Sequence, residues 1–134
     1  MTPPRLAHVF VFTADLERMA AFYAGAMGLR RENSSDAGFV IMRAATGADV
    51  ALHQLPPHIL EQITIDSPPR WRDDTALKMS FETDDLDAQR QAILDHGGQA
   101  KDPWAWEGTR FCECTDPEGN VVQILQRPRT IANG

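Results

Sequence analysis

Two polar side chains open matching stretches of the sequence. His8 precedes "VFVFT" and Lys78 precedes "MSFET". A neutral imidazole can bind a metal ion or transfer a proton, whereas an ammonium group binds anions and carbonyl oxygens. His8 is therefore a metal ligand, an acid–base group or an ordinary strand histidine. Lys78 is either a contact for a bound ligand or half of a structural ion pair with Glu82 or Glu113.

An aromatic pair lies in the segment "DPWAWEGTRF". Trp104 and Trp106 are two residues apart, so on a strand or loop edge they share a side. Such a pair either lines the site of a planar or bulky ligand, or it plugs that site or forms part of a dimer interface. Phe10 shares its strand face with His8, so the same surface is expected to be largely apolar.

Two further polar residues are candidates for binding, and no catalytic residue is assigned. The amide of Gln123 either orients a polar ligand or is an ordinary polar group of a sheet. His53 ends an apolar run close to Pro56, which predicts that it is exposed. The sequence contains neither a glycine-rich phosphate-binding loop nor a nucleophile elbow.

The elements that position these residues follow one order twice. An alternating apolar strand leads into an aspartate cap, an amphipathic helix and a glycine stop. Asp15 is the predicted cap of the first helix, and either Asp84 or Asp85 caps the second. Three strands are predicted after each helix, at 29–33, 38–43 and 49–54 and then at 99–101, 109–115 and 120–126. A short helix is predicted at 58–62.

The two halves also correspond in sequence. Aligning His8 with Lys78 places "TADL" on "TDDL", and "TGADVALHQLP" aligns with "EGNVVQILQRP". The repeated order predicts two βαβββ modules within one domain spanning 1–134. Module 1 covers about 5–56, a Pro-rich crossover 57–76, module 2 about 77–128 and a C-terminal tail 129–134. The "DPEGN" segment predicts a tight turn.

Composition restricts the class of protein. The 134 residues are 43% hydrophobic and 24% charged, with a net charge of −6, which indicates one globular domain without the basic surface of a nucleic-acid binder. Neither a membrane-spanning run nor a secretory signal is recognisable. Cys112 and Cys114 are too close in sequence to form a disulfide readily. Free thiols favour a cytoplasmic location.

The chain resembles the vicinal oxygen chelate superfamily. The resemblance is carried by the repeated layout, by "HVFVFTADLERMAAFYAGAMGL" and above all by "DPEGNVVQIL". This group includes glyoxalase I, extradiol dioxygenases, fosfomycin-resistance enzymes and bleomycin-resistance proteins. The resemblance implies an α+β fold in which two tandem βαβββ modules form a curled mixed-sheet cup. It also implies a homodimer, because members often dimerise to complete their cups.

The resemblance implies where a divalent metal would bind. Its ligands would come from His8, Ala51, Lys78 and Gln123. Ala51 has no donor atom and the ammonium of Lys78 repels a cation, so a catalytic metal or other cofactor is not expected, although a divalent metal remains the alternative. His53 shares the face of Ala51, and it adds an imidazole only if the strand register slips.

These observations predict a bleomycin-resistance-type protein that binds a small organic molecule without a metal. The predicted binding residues are His8, Phe10, His53, Lys78, Trp104, Trp106 and Gln123. Two enzymatic alternatives remain: a metal-dependent lyase, isomerase or dioxygenase of the same superfamily, or a metal-free enzyme using His8 or Lys78. A third possibility is a degenerate module that serves in dimerisation or in regulating a partner.

Overall fold

The computed structural model describes residues 1–129, and the predicted tail lies outside this range except for its first residue. Module 1 has the predicted order of elements. It consists of β1 (His8–Thr13), α1 (Leu16–Gly25), β2 (Arg30–Asn33), β3 (Phe39–Arg43) and β4 (Asp49–Gln54). The short crossover helix α2 (Pro57–Leu60) begins one residue earlier than predicted and ends two residues earlier.

Module 2 repeats this order and adds one strand. It consists of β5 (Met79–Glu82), α3 (Leu86–Asp95), β6 (Gln99–Ala100), β7 (Trp104–Trp106), β8 (Thr109–Thr115) and β9 (Val121–Gln126). The added strand β7 pairs with β8 through a two-residue turn, in which Glu107 and Gly108 have φ values of 50° and 81°. Positive φ at both central residues is the conformation that fits a tight hairpin.

The strands form two separate mixed sheets. One has the order β1-β4-β3-β2, and the other has the order β5-β9-β8-β6, with β7 paired to β8. In each sheet the first strand of the module runs parallel to the last, and the remaining neighbours are antiparallel. This arrangement confirms the predicted α+β fold of two tandem modules, the second of which carries β7 in addition to the βαβββ order.

The helices begin where the repeat predicts. The side chain of Asp15 accepts from the backbone N–H of Arg18 at 3.1 Å, and Asp85 accepts from Ala88 at 3.1 Å. Asp85, rather than Asp84, is therefore the second cap. None of the helices within residues 1–129 combines the length and apolar character needed to span a membrane.

Both modules contribute to one hydrophobic core. Most of the buried residues come from the two helices and from the strand positions that face them. They include Leu16, Met19, Phe22, Tyr23, Val40, Met42, Val50, Leu52, Leu86, Ile93, Cys112, Cys114 and Ile124. The helix-facing sides of the two sheets therefore pack toward a common centre. The opposite side of each sheet carries exposed side chains on β1, β5 and β7.

The predicted "DPEGN" turn joins the two modules. The Asp116 carboxylate accepts from the Tyr23 hydroxyl at 2.8 Å, and the Glu118 carboxylate accepts from the backbone N–H groups of Ala14 and Asp15. Gly119 completes the turn with φ 87°, and a Cβ there would collide with the Arg70 carbonyl oxygen. The turn from module 2 is thus fixed to the helix of module 1.

Candidate functional site

Alternation along the strands of module 1 creates a surface opposite the core, here called the first face. Strand register places His8 beside Asp49, Phe10 beside Ala51 and Phe12 beside His53. The face is completed by strand β3, whose outward residues are Phe39, Ile41 and Arg43. In this register His53 lies on the same face as Ala51, as the sequence predicts.

Aromatic rings occupy one end of the first face. The Phe10 ring lies 5.0 Å from Phe12, 5.8 Å from Phe39 and 5.7 Å from His53, between centroids. Phe10 and Phe12 are nevertheless 43% and 56% exposed. Rings that cluster and remain open to solvent form an apolar surface suited to a ligand or a second protein surface.

The other end of the first face is polar and neutralised. Arg43 contacts Glu32 at 2.7 Å and Asp49 at 2.8 Å. The backbone N–H of Ala44 and then the Arg43 guanidinium lower the pKa of Asp49, with a smaller contribution from nearby His8. Asp49 is therefore an anionic neighbour of His8.

Alternation in module 2 creates the corresponding second face. Register places Ser80 beside Gln123, Gln123 beside Glu113, and Trp104 beside Phe111. Lys78 precedes β5 and reaches the Glu113 carboxylate at 2.7 Å. This contact is the predicted ion pair, and Glu113 is the partner because Glu82 instead contacts Arg127 at 3.2 Å.

The polar end of the second face has two ammonium groups around one carboxylate. Lys101 lies 3.7 Å from Glu113, and its ammonium group lies 4.8 Å from the centre of the Trp71 ring. The hydrogen bond from Lys78 is the main cause that lowers the pKa of Glu113. The Glu113 carboxylate is therefore ionised at neutral pH and holds both cations close together.

The apolar end of the second face is formed by stacked rings. Trp104 stacks on Phe111 with a centroid separation of 4.5 Å and an interplanar angle of 18°. Trp104 and Trp106 are 51% and 63% exposed, so neither indole is packed into the core. Both indoles are therefore accessible to a ligand or to a second protein surface.

The predicted binding residues thus divide between two surfaces of one chain. His8, Phe10 and His53 lie on the first face; Lys78, Trp104, Trp106 and Gln123 lie on the second face. Sequence reasoning did not select Phe39, Phe111 or Lys101. Phe39 and Phe111 could have been found from the alternation of β3 and β8, which places them on the outer faces. Lys101 could have been found from its position directly after β6.

The residues at the expected metal positions do not fit a divalent ion. Ala51 offers no donor atom, and Lys78 places an ammonium on Glu113, the strand partner of Gln123. Among residues 1–129, no three His, Cys, Asp or Glu side chains are grouped so as to hold a metal. A divalent ion normally requires three or four donors, some of them anionic.

The buried thiols and the two cavities involve none of the predicted binding residues. The Cys112 and Cys114 thiols are buried 3.7 Å apart, and burial raises the pKa of Cys114, so both behave as packing residues. Two cavities of about 290 and 380 Å³ are lined by residues of the crossover and of the ends of β5 and β9. The predicted binding residues instead lie on the two faces, where Gln123 is buried at 8% exposure.

Comparison with known proteins identifies close structural similarity. The sequence pattern of a glyoxalase-like domain matches residues 8–125. A glyoxalase/bleomycin resistance protein/dioxygenase family enzyme from Burkholderia phytofirmans PsJN is 20% identical with a TM-score of 0.71, covering 93% of this chain and 100% of that chain. No curated protein sequence matches this chain significantly.

Two other solved structures are proteins of antibiotic binding or resistance. The antibiotic binding protein TnmS3 from Streptomyces sp. CB03234 is 20% identical with a TM-score of 0.68, covering 96% of this chain and 99% of that chain. The fosfomycin resistance protein FosX from Mesorhizobium loti is 18% identical with a TM-score of 0.67, covering 95% of each chain. At this level of identity the likeness shows the shared fold.

Proposed function

Because the chain belongs to the glyoxalase-like domain family, in the vicinal oxygen chelate superfamily, we propose that it binds a small organic molecule without a catalytic metal ion. The observation that carries this proposal is the pair of exposed aromatic surfaces opposite the core. Single exposed apolar residues are ordinary, but clustered exposed rings are typical of binding surfaces. TnmS3, an antibiotic binding protein of similar fold, supports this class of ligand.

Two copies of the chain are proposed to complete the binding site as a homodimer. Within one chain each face points away from the hydrophobic core that the two modules share. A second copy would bring the first face of one chain against the second face of its partner. A symmetric dimer would then contain two equivalent cups.

Binding is tested with protein treated with a chelator and then titrated with a panel of organic molecules. Tryptophan fluorescence reports on Trp104 and Trp106, and Trp71→Phe removes the third indole as a matched control. Ligand binding should change the emission of Trp71→Phe and weaken markedly in Trp106→Ala. A panel that leaves the fluorescence unchanged and gives no heat of binding would overturn the proposal.

The metal-free part of the proposal has its own measurement. Protein purified without a chelator should contain far less than one equivalent of Ni, Zn, Mn or Fe. Adding each metal should leave ligand affinity unchanged. One tightly held equivalent that is lost in His8→Ala would overturn this part and favour a metal-dependent enzyme.

A second candidate is a metal-free enzyme that uses His8 as an acid or base. The register of β1 and β4 places His8 beside Asp49, and a carboxylate neighbour can orient an imidazole and stabilise its cation. Turnover of a bound ligand that disappears in His8→Gln, with binding retained, would favour this candidate. Binding without chemical change of any ligand favours the first proposal.

A further inference from the structure

From the second face we infer that the ligand is a planar aromatic anion, such as an aryl carboxylate. This inference rests on the proposed function and adds the chemical class of the ligand. Its basis is the combination of stacked indole and phenyl rings with two clustered ammonium groups on one sheet surface. Each feature recognises one part of such a molecule.

The cluster around Glu113 contains more cations than anions, although the protein is negative overall. Glu113 is shared by Lys78 at 2.7 Å and Lys101 at 3.7 Å, so one carboxylate faces two cations. The other charged pair of this face, Glu82 with Arg127, is balanced. Within this cluster one positive charge therefore remains uncompensated, on a protein whose net charge is −6.

The unbalanced charge is available to a ligand. The side chains of Lys78 and Lys101 are 43% and 56% exposed, so neither ammonium is enclosed by the protein. An ammonium has three N–H donors, and the shared carboxylate cannot satisfy all six. A carboxylate of the ligand would accept from the remaining donors in charge-assisted hydrogen bonds.

The spacing of the two parts suits a single small molecule. Glu113 and Phe111 are two residues apart on β8 and point to the same side. This separates the cationic end from the stacked rings by about 7 Å along the strand. The stack leaves one surface of Trp104 open, so the ring of a ligand can extend it while its carboxylate reaches the lysines.

The first face lacks this preference for anions. Its two arginines, Arg43 and Arg30, are matched by the carboxylates of Glu32 and Asp49. Its aromatic end carries no lysine or arginine. The first face therefore supplies apolar contact, and the sign of the ligand charge is set by module 2.

The test compares three compounds that share one ring and differ in charge: naphthoate, naphthamide and naphthylmethylammonium. Isothermal titration calorimetry of the full chain should give naphthoate an affinity about tenfold higher than that of naphthamide at low salt. The ammonium compound should bind most weakly. The preference for naphthoate should shrink as salt is added.

Two substitutions are expected to change this preference in opposite directions. Lys78→Met removes the uncompensated charge and should abolish the preference for naphthoate. Glu113→Gln frees both lysines and should increase it. Arg31→Gln is the control, because it removes one positive charge whose partner, Glu17, lies away from the second face. It should leave the preference unchanged.

The outcomes separate the inference from the proposed function. Equal binding of naphthoate and naphthamide by the wild type, or an unchanged preference in both Lys78→Met and Glu113→Gln, overturns the anion assignment while small-molecule binding stands. Failure of all three compounds to bind overturns the aromatic-anion class. If the panel described above also fails to bind, the proposed function falls with it. A dimer that binds none of the compounds would mean that a second chain covers this face and excludes ligands. That result would overturn both the proposed function and the anion assignment.

Discussion

Removing the Glu118 carboxylate should weaken the joint between the two modules. Glu118 is only 2% exposed, and it accepts from Ala14 N at 2.8 and 3.0 Å and from Asp15 N at 2.9 Å. These donors lie just before the first residue of α1, where backbone N–H groups have no partner within the helix. The carboxylate is also favourably placed toward the positive end of the helix dipole.

The size of the effect follows from the two donors. A hydrogen bond to a charged group contributes about 1.5–3 kcal/mol, so Glu118→Ala should cost about 3–5 kcal/mol of unfolding free energy, water recovering part of the loss. Glu118→Gln keeps one carbonyl acceptor and should cost about 1.5–3 kcal/mol. The cost of Glu118→Gln measures the loss of the negative charge and of one hydrogen bond. The cost of Glu118→Ala also includes the loss of packing.

The assay is urea unfolding followed by circular dichroism at fixed protein concentration, because dimerisation would otherwise shift the midpoint. Glu17→Gln is the control, since this carboxylate lies in the first turn of the same helix but is exposed. The control should unfold near the wild-type midpoint. Equal midpoints for wild type and Glu118→Ala would refute the reasoning.

Three further outcomes are expected. Gly119→Ala should lower stability by about 2 kcal/mol or more, because the position has φ 87° and an added Cβ meets the Arg70 carbonyl; an unchanged urea midpoint would contradict this. Cys112 and Cys114 should resist iodoacetamide in the folded protein at about pH 8 and both react after unfolding, as counted by mass spectrometry; rapid native labelling would contradict their burial. Because Lys78 lowers the pKa of Glu113 below its ordinary value of 4.5, the stability from this pair is present above that value and is lost as pH falls through the lowered pKa. Between about pH 5 and pH 3, the free energy of unfolding in urea should therefore fall less for Lys78→Met than for the wild type. Equal decreases in the two proteins would refute the contribution of the Lys78–Glu113 pair.

The order of elements was predictable because local patterns determine it. Short-range physical effects explain three features: the alternation in β1 and β5, the aspartates that cap α1 and α3, and the glycine of the "DPEGN" turn. The repeat then predicted the fold class. The hairpin strand β7 was not predicted, since its two tryptophans reach their partner strand only through the turn at Glu107 and Gly108.

The relation between the two modules was harder to predict because it depends on contacts distant in sequence. Tyr23 and Asp116 meet across 93 positions, and nothing local to either residue indicates the other. The same holds for the site: Lys78 and Glu113 are 35 positions apart. Sequence reasoning offered Glu82 and Glu113 as equal partners, and only the strand order selects between them.

The strand alternation separates the residues that fold the protein from those that recognise other molecules. On β8 the even positions Cys112 and Cys114 are inaccessible, whereas the neighbouring odd positions Phe111 and Glu113 reach the outer surface. Substitutions at odd positions can therefore change what is recognised at little cost in folding. A library that randomises 111 and 113 should yield many folded variants, whereas one that randomises 112 and 114 should yield few.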